Sequence, residues 1–161
     1  MEGPASLETV AFADGYEDLS GRHDRTLDDK LRVVLPAGRW REVFAAGGKL
    51  TAWTDCLALW TPRSYRAVTA QLVARERGKE LVPGTVGDFR EDTVDVTPDG
   101  QGRIILPVDL RADAGIGEKG AEVVLVGNGD RVEIWDRARR AEDRSTRSRK
   151  AAVTTLRSLG L

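Results

Sequence analysis

Hydrophobic and polar positions alternate along much of this chain, and the pattern predicts a series of short elements. Brief runs of aliphatic and β-branched residues, bounded by glycine, aspartate or proline, predict β-strands. Eight such runs lie at residues 23–27, 32–35, 49–53, 56–60, 93–96, 103–106, 122–126 and 131–135. Asn128-Gly129 separates the last two runs and strongly indicates a hairpin turn, because both residues tolerate a positive φ.

Helices are predicted where the apolar spacing lengthens to three or four residues, as at Tyr65, Val68 and Leu72. They are also expected where proline can open a helix, as at Pro36. The predicted helices span residues 38–46, about 62–77, 108–114 and 137–157. Together the two periodicities predict an α+β protein.

The chain contains an internal duplication. Five positions of its first half recur in its second half at one offset, 103 − 32 = 71. They are Thr26, Asp28, Arg32, Leu35 and Pro36, which match Thr97, Asp99, Arg103, Leu106 and Pro107. Each half therefore follows the order β-β-α-β-β-α. Because a unit of this kind rarely buries its apolar face alone, we expect the two copies to pack against each other.

The duplication divides the chain into four segments. Residues 1–20 are acidic and weakly periodic, which predicts a flexible N-terminal extension. The first repeat is expected at 21–80 and the second at 81–140. Residues 141–161 are expected to form a charged C-terminal helix.

Composition narrows the class of protein. The 161 residues suffice for one compact unit, and 25 basic against 26 acidic residues give a net charge of −1. Any nucleic-acid site must therefore arise from local clustering of charge. One cysteine and one histidine exclude a disulfide framework and a His/Cys zinc cluster, and no apolar stretch reaches membrane-spanning length. We therefore expect a soluble cytoplasmic protein without a metal or another cofactor.

The repeated motifs resemble those of the bacterial MraZ family. Gly21 through Arg32, followed by Leu-Pro, is similar to the opening of that family, and the Gly-Arg-Ile-Ile-Leu-Pro of 102–107 is similar to its second repeat. So are the Val-Leu-Val-Gly of 124–127 and the Glu-Ile-Trp-Asp of 133–136. The resemblance implies two tandem ββαββα repeats of the AbrB-like, swapped-hairpin type. They would form a pseudo-two-fold, β-barrel-like core with flanking helices.

The family's mark is an Asp-x-x-x-Arg motif in each repeat, here Asp28/Arg32 and Asp99/Arg103. A tight turn brings the two ends of such a motif together, and the carboxylate can then hold the guanidinium extended. A planar guanidinium matches the O6 and N7 atoms of guanine, and a β-hairpin can enter the major groove. The alternative is that each pair is only a salt bridge that stabilises its turn.

Local charge distinguishes the two motifs. The first is surrounded by basic residues, of which Arg22, Arg25 and Lys30 are candidates for contacts with DNA phosphates. The second follows an acidic stretch that repels phosphates, so we expect the first repeat to dominate binding. That stretch contains Asp88, Glu91, Asp92 and Asp95.

Leu31 departs from the family pattern, which has glycine before the arginine, as at Gly102. A leucine at positive φ would cost roughly 1–2 kcal/mol. The first turn is therefore expected either to have a different shape, with Leu31 at negative φ, or to be strained. We favour the altered shape.

The resemblance implies a sequence-specific DNA-binding transcriptional regulator, with double-stranded DNA at a direct-repeat promoter site as its partner. Such proteins form homo-oligomeric rings, and we expect a nucleoid-associated repressor of a division and cell-wall gene cluster. The alternative is an oligomeric interaction protein of the same fold that has lost or changed DNA binding. Asp28-Asp29-Lys30 of the first copy suggests a metal-dependent nuclease, but the second copy, Asp99-Gly100-Gln101, keeps one acidic residue and no lysine. Catalysis is therefore not expected.

Overall fold

The computed structural model describes residues 17–147 and 149–160. Eight strands and six helices lie in this part of the chain. The strands are β1 (Arg22–Thr26), β2 (Arg32–Val34), β3 (Gly48–Trp53), β4 (Cys56–Trp60), β5 (Val94–Val96), β6 (Arg103–Ile105), β7 (Glu122–Gly127) and β8 (Arg131–Asp136). The helices are α1 (Arg39–Val43), α2 (Pro62–Arg77), α3 (Thr85–Glu91), α4 (Val108–Asp113), α5 (Arg137–Ser145) and α6 (Arg149–Ser158). The predicted α+β class is confirmed.

Six strands form one antiparallel sheet in the order β1-β7-β8-β4-β3-β5. The counterparts in the two repeats are β1 and β5, β3 and β7, and β4 and β8. When each strand is exchanged for its counterpart, the same order is read from the opposite edge of the sheet. The first strand of each repeat pairs with the third strand of the other repeat, β1 with β7 and β5 with β3. Neither repeat therefore completes its own part of the sheet.

The remaining two strands, β2 and β6, form a separate antiparallel ribbon with one strand from each repeat. Val33 lies opposite Ile104 at its centre. The Leu35 N–H donates to the Gly102 carbonyl at 2.8 Å, and the Leu106 N–H donates to the Leu31 carbonyl at 3.0 Å. Each repeat therefore donates one further hydrogen bond to the other repeat beyond the paired residues of the ribbon.

The main core lies between the ribbon and the sheet. Val33 and Ile104 point into it from the ribbon and are almost fully buried. A second cluster, formed by Ala58, Trp60 and Val68, lies where α2 packs on β4. Trp60 in β4 and Trp135 in β8 are both buried.

Two helix predictions have different outcomes. The helix over 62–77 is confirmed, and the Thr61 side chain accepts a hydrogen bond from the Ser64 N–H at its start. Pro36, in contrast, does not open a helix. Because Gly38 has a φ of 92° and is not helical, α1 begins only at Arg39.

The ends of the described chain also differ from the prediction. Residues 1–16 of the predicted extension, and residue 161, lie outside the described residues. Leu19 is buried, and its backbone exchanges two hydrogen bonds with Gly129, so the packed structure starts before the predicted boundary at residue 20. The charged C-terminal segment forms two helices, α5 and α6, rather than one. None of the described helices is long and apolar enough to cross a membrane.

Candidate nucleic-acid interface

The first Asp-x-x-x-Arg motif is a closed turn between β1 and β2. The Asp28 N–H donates to the Arg32 carbonyl at 3.1 Å, and the Leu31 N–H donates to the Asp28 carbonyl at 3.0 Å. The Oδ1 atom of Asp28 accepts the N–H groups of Lys30 and Arg32, each at 2.9 Å. The aspartate therefore fixes the backbone of the turn before its other oxygen reaches the arginine.

The second motif repeats these bonds one for one. The Asp99 N–H donates to the Arg103 carbonyl at 3.0 Å, and the Gly102 N–H donates to the Asp99 carbonyl at 2.9 Å. Asp99 Oδ1 accepts the N–H groups of Gln101 and Arg103 at 2.9 and 3.0 Å. The two turns thus have the same hydrogen-bonded shape.

Each aspartate holds its arginine by the inner nitrogen. The Nε–Oδ2 distance is 2.8 Å from Arg32 to Asp28 and 2.7 Å from Arg103 to Asp99. Arg32 Nη1 also lies 3.8 Å from Asp99 Oδ2, which links the two motifs. Because the Nε atoms are engaged, each guanidinium is fixed in orientation. Arg32 Nη2 and the terminal nitrogens of Arg103, which have no ion pair among the described residues, remain for an external acceptor.

Hydrogen bonds keep both aspartates ionised. Burial raises the pKa of Asp28, but the backbone and side chain of Arg32 and the Lys30 N–H together lower it below its usual value. The Arg103 N–H is the largest influence on Asp99; with the Arg103 guanidinium and the Gln101 N–H it outweighs partial burial and lowers the pKa to about 2. Both carboxylates are therefore charged near neutral pH.

The ribbon places both arginines on one outer face. Arg32 lies opposite Ile105 and Val34 lies opposite Arg103, while the residues between them point into the core. Val34 is 37% exposed and Ile105 is 58% exposed. The outer face is therefore a square of four side chains in which arginines and aliphatic residues occupy opposite diagonals.

A groove of about 380 Å³ lies beside this face, lined on one side by the ribbon and on the other by β5, which contributes the acidic Asp95. It brings together Arg32, Asp99 and Arg103 with Ile105. Val34 and Ile105 were missed as site residues by the sequence analysis. Strand alternation provides a signal for them, because in Arg-Val-Val and Arg-Ile-Ile the third residue lies on the same side as the arginine.

The predicted phosphate contacts lie in three different environments. Lys30 is exposed at the tip of its turn, and its ammonium group has no ion pair among the residues described. Arg25 donates to the carbonyls of Val34 and Asp24, both at 2.9 Å, so its guanidinium already supports the ribbon. Arg22 pairs with Asp24 and lines a cavity with arginines of the C-terminal helices, apart from the groove.

The preferred prediction for Leu31 is wrong. Leu31 has a φ of 60°, and Gly102 has a φ of 78°, so the first turn keeps the shape of the second. A Cβ atom at Gly102 would lie 2.4 Å from Arg41 Nε, so a side chain there would displace the Arg41 guanidinium. The equivalent of Arg41 in the second repeat is Arg111: the Arg41 guanidinium donates to the Leu35 carbonyl at 2.8 Å, and the Arg111 guanidinium donates to the Leu106 carbonyl at 3.0 Å. Leucine thus stands at 31 although the helix of the second repeat keeps this arginine, and nothing in the structure explains the substitution.

Sequence comparison relates the chain to known proteins. A family model described as "MraZ protein, putative antitoxin-like" matches residues 89–152. A protein of Arthrobacter sp. (strain FB24) is 34% identical over 117 residues, which cover 72% of this chain and 80% of the relative. A protein of Kocuria rhizophila is 34% identical (73% of this chain, 80% of the relative), and one of Salinispora tropica is 33% identical with the same coverage.

Each of these relatives is named "Transcriptional regulator MraZ". The class of protein that these relatives indicate is therefore that of transcription regulators. The chain belongs to the MraZ family.

Proposed function

We propose that the chain is a sequence-specific DNA-binding transcriptional regulator that reads the major groove with the β2–β6 ribbon. The observation that carries the proposal is the outer face of the ribbon, where two oriented guanidinium groups lie diagonal to two exposed aliphatic side chains. The terminal nitrogens of Arg32 and Arg103 suit guanine O6 and N7, and Val34 and Ile105 suit thymine methyl groups.

The size of this face limits what one subunit reads. Diagonal neighbours on adjacent strands are about 7–8 Å apart, and successive bases are about 3.4 Å apart along a strand. Arg32 and Arg103 would therefore reach bases about two steps apart. Such a short contact favours a site made of repeated short elements, read by several subunits at once.

We further propose a homo-oligomeric ring that binds a direct-repeat promoter site and represses a division and cell-wall gene cluster, in the nucleoid. Avidity in a ring would compensate for weak contacts by a chain of net charge −1. The exchange of strands between the repeats supports assignment of each repeat to the AbrB-like, swapped-hairpin type. Size-exclusion chromatography with multi-angle light scattering of the purified full chain tests the ring, and a monomer at all concentrations would exclude it.

Binding of the wild-type chain to the DNA upstream of its own gene tests the function. Fluorescence anisotropy should show tighter binding to this DNA than to a shuffled duplex of the same length and composition at every salt concentration. Binding to both duplexes should weaken as salt rises, because phosphate contacts release counterions. Equal affinity for the two duplexes, or no binding to either, would instead favour the alternative of an interaction protein that has lost sequence reading.

A further inference from the structure

A cavity of about 370 Å³ lies where the start of β1 and the end of β7 face the two C-terminal helices. Its lining residues are Arg22, Val126, Arg140, Arg144 and Arg149. Four of these five residues are arginines, drawn from β1, α5 and α6. Small-molecule sites are normally lined by apolar side chains, so this lining indicates a ligand of high negative charge.

The surrounding sequence concentrates positive charge in this region. Residues 137–157 contain eight basic and two acidic residues, a net charge of +6 in a chain whose total is −1. The two acidic residues are Glu142 and Asp143, and Asp143 accepts hydrogen bonds from both Arg140 and Arg147. One carboxylate is therefore shared between two guanidinium groups, which leaves this region with uncompensated positive charge.

The arginines of the cavity differ in how firmly they are held. The Arg140 guanidinium lies 5.1 Å from the centre of the Trp135 ring and 3.0 Å from Asp143 Oδ2, and only 13% of the side chain is exposed. Arg22 pairs with Asp24 at 3.3 Å. The side chains of Arg144 and Arg149 have no hydrogen-bond or ion-pair partner within residues 17–147 and 149–160. The lining thus contains one guanidinium held in place, that of Arg140, and two, those of Arg144 and Arg149, that no carboxylate of the described residues neutralises.

We propose that this cavity is a second, phosphate-binding site of the protein. Guanidinium groups bind phosphate oxygens through paired, charge-assisted hydrogen bonds, and several of them can converge on one group. Val126 is the one apolar side chain of the lining, and the lining has no aromatic ring for a base to stack on. The site would therefore recognise phosphate itself, either in a nucleic-acid backbone or in a free phosphorylated compound.

This site is independent of the ribbon. Arg22 stands six residues before Asp28, so at about 3.3 Å per residue the chain separates the cavity from the first turn by up to about 20 Å. Loss of sequence-specific reading by the ribbon would leave the four arginines in position. The two sites can therefore be tested separately.

The experiment compares the full-length wild type with the double variant Arg144→Gln/Arg149→Gln. The matched control is Arg157→Gln, an exposed arginine of α6 that does not line the cavity. Inorganic triphosphate, titrated by calorimetry, and a random-sequence duplex, titrated by anisotropy over a salt series, are the two probes. Arg22→Gln tests the opposite wall, and Arg32→Ala checks that the ribbon is not responsible.

We expect the double variant to lose about tenfold or more in affinity for triphosphate. Arg157→Gln and Arg32→Ala should bind triphosphate with the affinity of the wild type. A parallel fall in random-duplex affinity, with a log–log salt slope smaller by about 2, would identify nucleic-acid phosphates as the source. Loss of triphosphate binding alone would identify a free phosphorylated compound. Equal binding of both probes by the wild type, the double variant and Arg22→Gln would overturn the proposal.

Discussion

At the residue scale, the two turns show how one backbone shape accommodates two different residues. Gly102 is required twice, by its positive φ and by Arg41, whose Nε would lie 2.4 Å from a Cβ atom. Leu31 has the same backbone conformation, although the second repeat has an arginine, Arg111, in the place of Arg41. Leu31 therefore carries a left-handed strain that Gly102 avoids.

The Leu31→Gly variant is expected to be more stable than the wild type. Relief of the left-handed conformation is worth roughly 1–2 kcal/mol, and the greater freedom of glycine in the unfolded chain offsets about 0.5–1 kcal/mol of this. The net gain should raise the melting temperature by a few degrees. The reverse change, Gly102→Leu, should lower it because it adds both strain and overlap with Arg41. A Leu31→Gly variant that melts below the wild type would contradict this account of the turn.

The depressed pKa of Asp99 makes part of the stability pH-dependent. A carboxyl group with a pKa near 3.8 when unfolded and about 2 when folded contributes stability that is complete above about pH 4. This contribution is lost as the pH falls through about 2, when the folded form is protonated as well. The melting temperatures of the wild type and Asp99→Asn should therefore converge between about pH 4 and pH 2. A difference that stays constant over this range would show that the turn does not depend on the charge.

At the element scale, local signals predicted most strands and the longest helix. The helix α2 was predictable because Thr61, Pro62 and the spacing of apolar residues all mark its start and inner face. The helix α3 was missed because Pro83-Gly84 indicates a turn and the seven residues Thr85–Glu91 contain few apolar side chains. Its stability comes from packing on α2, a tertiary contact that has no local sequence signal.

The candidate site was predictable only in part for a similar reason. The Asp-x-x-x-Arg pairs are local, so their turns and internal salt bridges follow from the sequence. The pairing of β2 with β6 joins residues about seventy positions apart and could not be read from either copy alone. That pairing is what places Ile105 beside Arg32.

The Ile105→Ser variant is expected to lose affinity for promoter DNA by about tenfold while keeping its affinity for shuffled DNA. Loss of an aliphatic contact with a thymine methyl group removes sequence reading but no phosphate contact, so the salt slope should not change. Because Ile105 is mostly exposed, the melting temperature should change little. The control is Val108→Ser, an exposed aliphatic residue outside the ribbon and its groove. An Ile105→Ser variant with full promoter affinity would show that the aliphatic diagonal does not touch DNA.

At the scale of the whole molecule, the exchange of strands makes the two repeats one cooperative unit. Each repeat supplies an edge strand to the other half of the sheet and one strand to the ribbon. Cutting the chain between the repeats would leave β1 and β5 without their partners β7 and β3. It would also expose the inner ribbon residues Val33 and Ile104.

Residues 17–80 and 81–160 expressed separately are therefore expected to remain unfolded as isolated fragments. Each would lack the only sheet partner of its edge strand and the apolar surface that covers its core. Circular dichroism and proteolysis of the separate and mixed fragments measure this. Recovery of the folded spectrum on mixing would agree with the exchange of strands, whereas a cooperative melt of either fragment alone would contradict it.

The central claim is that the paired guanidinium groups of the ribbon read DNA sequence. Fluorescence anisotropy at one fixed salt concentration tests it most directly, with promoter DNA and the variants Arg32→Ala, Arg103→Ala and the exposed α2 control Arg75→Ala. A lost bidentate contact costs about 1–3 kcal/mol per subunit and is multiplied in an oligomer. The account predicts that Arg32→Ala abolishes specific binding, that Arg103→Ala weakens it less, and that Arg75→Ala binds like the wild type. Wild-type affinity and specificity in Arg32→Ala would contradict it.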